Sequence, residues 1–291
     1  MAERPIKPTH PDYADLEPVV RKILVNSGGL LSFEASVPRI LRTAIDEVID
    51  APRTNRFTLG EIEKTEKTYL GTKIEILLRS HLKFRKGKIL DLDVDGTEVD
   101  IKNTVSRNWS IPSENFGKLA LLIRCSEAAA KCDLGLILMR EEYLNSGKNR
   151  DLKRSISVDC LNSNVWWVLF DHPYPPNFWE ILPPEDRKEI MSPKSGAERL
   201  AILFDKIKNQ PISRIQVEAV GQQRDYMKRI RRNGGARDIL APRGIALLAG
   251  RGDRALIAKL NLGLVRDDEF ISCQPTDPGE IELLRKHRHI D

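Results

Sequence analysis

Cysteine is scarce in this sequence: there are four in 291 residues, at Cys125, Cys132, Cys160 and Cys273. None lies close enough to another for a CxxC pair, so they read as reduced core thiols rather than disulfides or zinc ligands. Histidine is nearly as sparse, five residues without ligand spacing, and His287-Arg288-His289 reads as a solvated tail. No apolar run approaches the roughly 18 residues of a membrane span. The opening M-A-E-R-P-I-K-P-T-H-P contains no apolar signal region, and the expected location is the cytoplasm. Internal repeats and long low-complexity tracts are also missing. Charge, by contrast, is plentiful. Lys and Arg number 47 against 42 Asp and Glu, for a net +5, which permits a polyanionic partner without demanding one.

From about Pro11 to Phe170 helical and strand patterns alternate, as in an α/β domain. Two amphipathic helices are predicted at Leu16–Asn26 and Ser36–Ile49, with Ser36 as N-cap and Pro38 in the first turn. A third, Thr58–Leu82, carries apolar residues at near-helical period. Ala120–Cys125 and Leu134–Met139 suit buried strands with a helical break between them, and Val165–Phe170 suits another. Residues 171–190 then crowd prolines and aromatics together, the texture of an inter-domain connection packed on the surface. Beyond it Ser195–Lys208 is a clear amphipathic helix, opening a smaller mixed domain. The predicted division is 1–170, a linker at 171–190, and 191–291.

The most informative stretch is I-L-D-L-D-V-D-G-T-E-V-D-I-K, Ile89 to Lys102. Two alternating runs meet at Asp95-Gly96, a dipeptide that favours a type I′ hairpin turn. Leu90, Leu92, Val94, Val99 and Ile101 share one facing, and the acids and Lys102 the other. Carboxylates from adjacent strands with an ammonium beside them can hold a hard divalent cation for in-line attack on a phosphodiester. The pattern D-x8-D-x-K (Asp91, Asp100, Lys102) is nevertheless short, and Glu142, Asp151 and Lys153 repeat its spacing in a polar stretch without strand alternation. The same residues also describe a solvated hairpin face with a surface ion pair worth ~0–1 kcal/mol. Glu75, on the preceding helix, is a candidate third carboxylate, or simply an exposed helical residue.

Gln222–Gly235 reads Q-Q-R-D-Y-M-K-R-I-R-R-N-G-G. Tyr226, Met227 and Ile230 form a narrow apolar seam under a basic exterior, so a helix ending at Asn233-Gly234-Gly235 is predicted. Ser213–Val220 upstream fits either a strand or a helix start. Helix, turn, short helix (Ala236–Leu240) and strand (Gly244–Leu248) suit a winged or helix-turn-helix-like module. Arg224, Lys228, Arg229, Arg231, Arg232 and Arg237 would neutralise phosphates, and Gln222 and Gln223 could read base edges.

Six segments together resemble the NaeI family of type II restriction endonucleases. They are K-T-E-K-T-Y-L-G-T-K-I-E-I (from Lys64), L-D-L-D-V-D-G-T-E-V-D-I-K (from Leu90), W-S-I-P-S-E (from Trp109), L-N-S-G-K-N-R-D (from Leu144), I-M-S-P-K-S-G (from Ile190) and D-Y-M-K-R-I-R-R-N-G-G-A-R (from Asp225). The resemblance spans roughly Arg42 to Leu248. It implies a PD-(D/E)xK nuclease core, a mixed sheet flanked by helices, followed by a winged-helix-like α+β DNA-binding domain. It implies a Mg²⁺-dependent homodimer that binds two DNA duplexes, one as substrate and one as activator. The family's catalytic residues fall on Glu75, Asp91, Asp100 and Lys102, with the Ile101 carbonyl as a further metal ligand. Asp93 and Asp95 are possible stand-ins for Asp91. The segment Asn103 to Asn108 departs from the family pattern. The expected activity is site-specific hydrolysis of duplex DNA. The rivals are a structure-selective repair or junction nuclease and a non-catalytic DNA-binding regulator.

Overall fold

A computed structural model describes residues 4–106, 108–222, 225–231 and 233–291. The chain divides into two compact units, Met1–Val48 with Ile62–Asn177, and Ile49–Glu61 with Phe178–Asp291. Among the described residues no helix is long and apolar enough to cross a membrane. All four cysteines are free and buried.

The first unit opens with helices α1 (Tyr13–Asn26) and α2 (Leu30–Ile49); the short α3 (Ala51–Thr54) belongs to the second unit, and the first resumes with α4 (Lys64–Leu82). Strands β1 (Leu92–Val94), β2 (Thr97–Thr104), β3 (Ser110–Ile111), β4 (Leu119–Ser126), β5 (Lys131–Leu138), β6 (Leu144–Lys148) and β7 (Arg154–Ile156) follow, then helix α5 (Val158–Ser163) and strand β8 (Trp166–Pro173). The main sheet is mixed, in the order β1-β2-β4-β5-β8, with β2 and β4 parallel and the other pairs antiparallel. A small antiparallel sheet, β3-β7-β6, accompanies it. Strand β4 shows no polar alternation because both its faces are covered. Ala120 and Leu122 join Trp109, Ile156 and Trp167 in one cluster, while Leu121 and Ile123, pointing the other way, are equally buried.

Three local expectations need correction. Helix α2 starts at Leu30, after Gly28-Gly29 at φ 86° and 100°, so Ser36 lies inside it and donates to the Ser32 carbonyl at 2.7 Å. Pro38 is therefore interior as well. It has no N–H to offer the Glu34 carbonyl, and the His172 ring Nε2 lies 3.2 Å from that oxygen instead. The third helix begins at Lys64, where the Glu66 carboxylate accepts the Glu63 N–H at 2.8 Å; residues Leu59–Glu61 form a separate 3₁₀ turn. Strands β4 and β5 are joined by a tight turn rather than a helix, with Ala130 at φ 49° and its N–H on the Glu127 carbonyl. Alanine-rich sequence there is overridden by an eight-residue ladder.

The second unit contains α3, α6 (Phe178–Ile181), α7 (Pro184–Met191), α8 (Gly196–Lys206), β9 (Ile212–Ser213), α9 (Arg214–Gly221), α10 (Tyr226–Ile230), α11 (Ala236–Leu240), β10 (Ala246–Ala249), α12 (Arg254–Lys259), β11 (Glu269–Cys273) and α13 (Pro278–Lys286). Its antiparallel sheet has the order β10-β11-β9. The proline- and aromatic-rich segment is more ordered than its composition suggests. Pro184 sits in the first turn of α7, where a missing N–H costs nothing. Trp179 is fully buried, packs its ring at a tilt 4.4 Å from that of Phe57 and donates to Gln216 Oε1 at 2.7 Å. Ser195 caps α8. Within α8, Arg199 donates to the carbonyls of Pro193, Lys194, Val220 and Gly221, tying the entry of α8 to the end of α9. The Ser213–Val220 ambiguity resolves as a helix that follows a two-residue strand.

Candidate active site

The turn at Asp95-Gly96 has φ 50° and 91°, the paired left-handed conformation a type I′ hairpin requires. It sets the register Leu92↔Val99 and Val94↔Thr97, with Leu92, Val94, Val99 and Ile101 all buried. β2 is not a surface strand, since β1 flanks it on one edge and β4 on the other, and α4 packs on it. Asp100 is therefore only 6% exposed, although the alternation assigned it to a polar face.

Asp91 lies just before β1, and its Oδ2 accepts the Ile101 N–H at 2.8 Å. The N–H and C=O of one residue leave an extended strand on the same side, so the Ile101 carbonyl faces the edge that Asp91 occupies. The loop that delivers Asp91 is organised by Glu98, whose carboxylate accepts the N–H groups of Lys88, Ile89 and Leu90. From α4, Arg79 Nη1 reaches the Asp91 carbonyl at 3.3 Å. Asp100 Oδ2 receives Lys102 Nζ at 2.6 Å and the Asn115 side-chain amide.

Glu75, also on α4, belongs to this cluster electrostatically. Half-burial and then the Asp91 charge push its carboxyl above the usual range; Asp100 adds to the rise, while Lys102 and Arg79 oppose it. Burial likewise raises Asp91, as do a hydrogen bond with Asp100 and its charge, against the opposing pull of the Ile101 N–H and Lys102. Asp93 and Asp95 are not brought in. Asp93 Oδ1 accepts the Gly96 N–H at 2.7 Å, and Asp95 pairs with Lys22 at 2.8 Å.

Among the described residues no three His, Cys, Asp or Glu side chains form a ready metal cluster. The donors nonetheless fit a hard cation of the magnesium type, which commonly takes one or two carboxylates and leaves its remaining positions to water and phosphate. Asp91 and Asp100 are all-oxygen donors at the same edge as the Ile101 carbonyl, and the crowding that lifts Glu75 and Asp91 is of the sign a cation relieves.

The basic segment of the second unit is broken where a continuous helix was predicted. Gln222 is exposed and left-handed at φ 49°, ending α9. Asp225 then accepts the Lys228 N–H and starts the five-residue α10. Lys228 and Arg231 are exposed and Arg229 is half-buried. Arg237, on α11, is turned to Asp253 at 3.2 Å, an inward pairing that its place in a basic run did not suggest. Gln223, Arg224 and Arg232 lie outside the described residues.

Glu98, Arg79 and Asn115 had no assigned part in the sequence. Asn115 directly follows the W-S-I-P-S-E segment, which stood out in the resemblance without a role.

A family model described as restriction endonuclease NaeI matches residues 35–281. The chain is also 32% identical over 252 residues to the type II restriction enzyme NaeI of Lentzea aerocolonigenes, covering 83% of this chain and 79% of that protein. With a family match across most of its length and a relative of that similarity, this protein belongs to the NaeI family of restriction endonucleases.

Proposed function

We propose that this protein is a type II restriction endonuclease that hydrolyses double-stranded DNA at a specific sequence with Mg²⁺, leaving 5′-phosphate and 3′-hydroxyl ends. The observation that carries this reading is the convergence of Glu75, Asp91, Asp100 and Lys102, from a helix, a loop and an interior strand, at one end of the β1–β2 hairpin. Asp91, Asp100 and the Ile101 carbonyl would hold the metal, with Glu75 supporting it or a water. A bound cation would polarise the scissile phosphate and lower the pKa of water. Lys102 orients the attacking water and steadies charge building on the phosphate. Its contact with Asp100 fixes where the ammonium sits, so positioning and electrostatics suit it better than proton abstraction.

The first unit is read as a PD-(D/E)xK core, supported by a helix followed by an antiparallel hairpin whose second strand continues the mixed sheet. The second unit is read as a winged-helix-like DNA-binding domain, supported by its element order and the β10-β11-β9 sheet. Lys228, Arg229 and Arg231, with Arg224 and Arg232, would meet phosphates, and Gln222 and Gln223 would face bases. Family membership supports a cytoplasmic homodimer that binds one duplex as substrate and another as activator.

Plasmid cleavage with Mg²⁺ tests the first unit. Asp100→Ala and Lys102→Ala should each abolish cleavage while DNA binding persists, and undiminished cutting by either variant would sink the assignment. For the second unit, Arg229→Gln combined with Arg232→Gln should weaken binding and flatten its salt dependence by roughly 0.9 in log–log slope per lost phosphate contact. An unchanged slope counts against that role.

A further inference from the structure

We infer that Asn115 is a positioning residue for the metal-binding carboxylate Asp100, and that residues 109–115 form a clamp on the reactive end of β2. The inference rests on the metal-site reading of Asp91 and Asp100. Asn115 ends a 3₁₀ turn, Ser113–Asn115, and is only 4% exposed. A polar side chain so deeply buried needs a partner, and its amide donates to Asp100 Oδ2.

The same oxygen receives Lys102 Nζ at 2.6 Å, so two donors from different directions engage Oδ2. Rotation of the carboxylate about its χ2 torsion would break at least one of these contacts. Asn115 thereby holds the Asp100 carboxylate plane in one orientation, the one in which it would meet a metal. Being neutral, the amide does this without placing a second positive charge beside the metal position, which another lysine or arginine would do.

The other end of the clamp is Trp109, 3% exposed, whose Nε1–H lies 3.0 Å from both the Lys102 carbonyl and the Ile123 carbonyl. It bridges β2 and β4 directly behind the lysine. The intervening Ser110–Ile111 is β3, which pairs with β7. The chain thus leaves the reactive strand, is anchored on the small sheet, and returns a buried amide to the carboxylate two residues before Lys102. This geometry gives the W-S-I-P-S-E-N segment a chemical task.

The test compares Asn115→Ala and the isosteric Asn115→Asp with parent enzyme and Asp100→Ala, on plasmid DNA over a Mg²⁺ titration. For Asn115→Ala the expected result is a roughly tenfold or greater fall in kcat, a several-fold higher Mg²⁺ midpoint, and unchanged KM and metal-free DNA affinity. Asn115→Asp, which keeps the shape but loses the donor and adds charge, should lose more. Parent-like kcat and Mg²⁺ midpoint in both variants, with Asp100→Ala inactive, would overturn the positioning role and leave the metal site standing. Loss of cleavage with an unmoved Mg²⁺ midpoint and equally reduced metal-free DNA binding would mark Asn115 as merely structural and also overturn it. An active Asp100→Ala would refute the metal-site reading itself.

Discussion

Asp91, Asp100 and Lys102 share their spacing with Glu142, Asp151 and Lys153; the first set spans the β1–β2 hairpin, whereas the second runs from the turn before β6 into the β6–β7 turn. The second hairpin, β6–β7, was not visible as alternation in the sequence. Its strands pair with a register shift around an exposed turn, where Asn149 Oδ1 accepts the N–H groups of Asp151 and Lys153. Glu142 and Asp151 are exposed. Spacing and a nearby hairpin are therefore common to both. The first set differs in that Asp100 and Lys102 lie on an interior strand, with a helix bearing Glu75 packed on it and a buried amide aimed at one carboxylate. Burial, and after it the proximity of the other acids, raises Glu75 and Asp91, whereas charges on exposed acids are screened by water.

The sharpest way to break this comparison is to carry the same substitutions to the other hairpin. Asp100→Ala should reduce cleavage by roughly 10²–10³-fold or more, while Asp151→Ala and Lys153→Ala in the same assay should stay within about threefold of the parent. Equal losses from the two sets would erase the distinction. Next in size is Trp109→Phe, which keeps the ring but leaves the Lys102 and Ile123 carbonyls without the indole N–H. It should cost about 1–3 kcal/mol in denaturant unfolding and lower kcat; a fully stable, fully active variant would show that the clamp is unnecessary.

The smallest effect concerns pH. Glu75 and Asp91 titrate above their ordinary values, so the fold favours their protonated forms. Their contribution to stability is present below the ordinary carboxylate range and is lost as pH rises through the raised values. Without metal, Glu75→Gln should therefore melt about 1–2 °C above the parent at neutral pH. The gap should close as pH falls towards about 4. Added Mg²⁺ should raise the parent's melting temperature more than the variant's. A variant that melts lower than the parent at pH 7 would contradict the electrostatic account.

Much of this was legible from local chemistry. Asp-Gly between alternating runs specified the hairpin, and Ser195 ahead of an apolar period specified the start of α8. Other features depended on distant partners. Pro38 could sit inside α2 because His172, far along the chain, approaches the carbonyl it leaves unbonded. The continuous basic helix failed because Gln222 turned left-handed and Asp225 began a new helix, a choice between two local solutions that charge periodicity does not weigh. Asn115 stands directly after a segment already singled out, but only the pairing of β3 with β7 reveals where its amide goes.

Residues 49–61 lie within the first half of the sequence yet pack into the second unit, with Phe57 packed against Trp179 and Asn55 accepting from the Gln222 amide. For anyone engineering this gene, no single cut separates two self-sufficient pieces. A nuclease truncated after Asn177 would keep Phe57 and Leu59 but lose the surroundings that bury them, leaving an apolar flap prone to aggregation. A portable catalytic module would need two edits, a stop after Asn177 and replacement of 49–61 by a short polar turn. The same arrangement means that domain shuffling by simple recombination would be penalised in this chain.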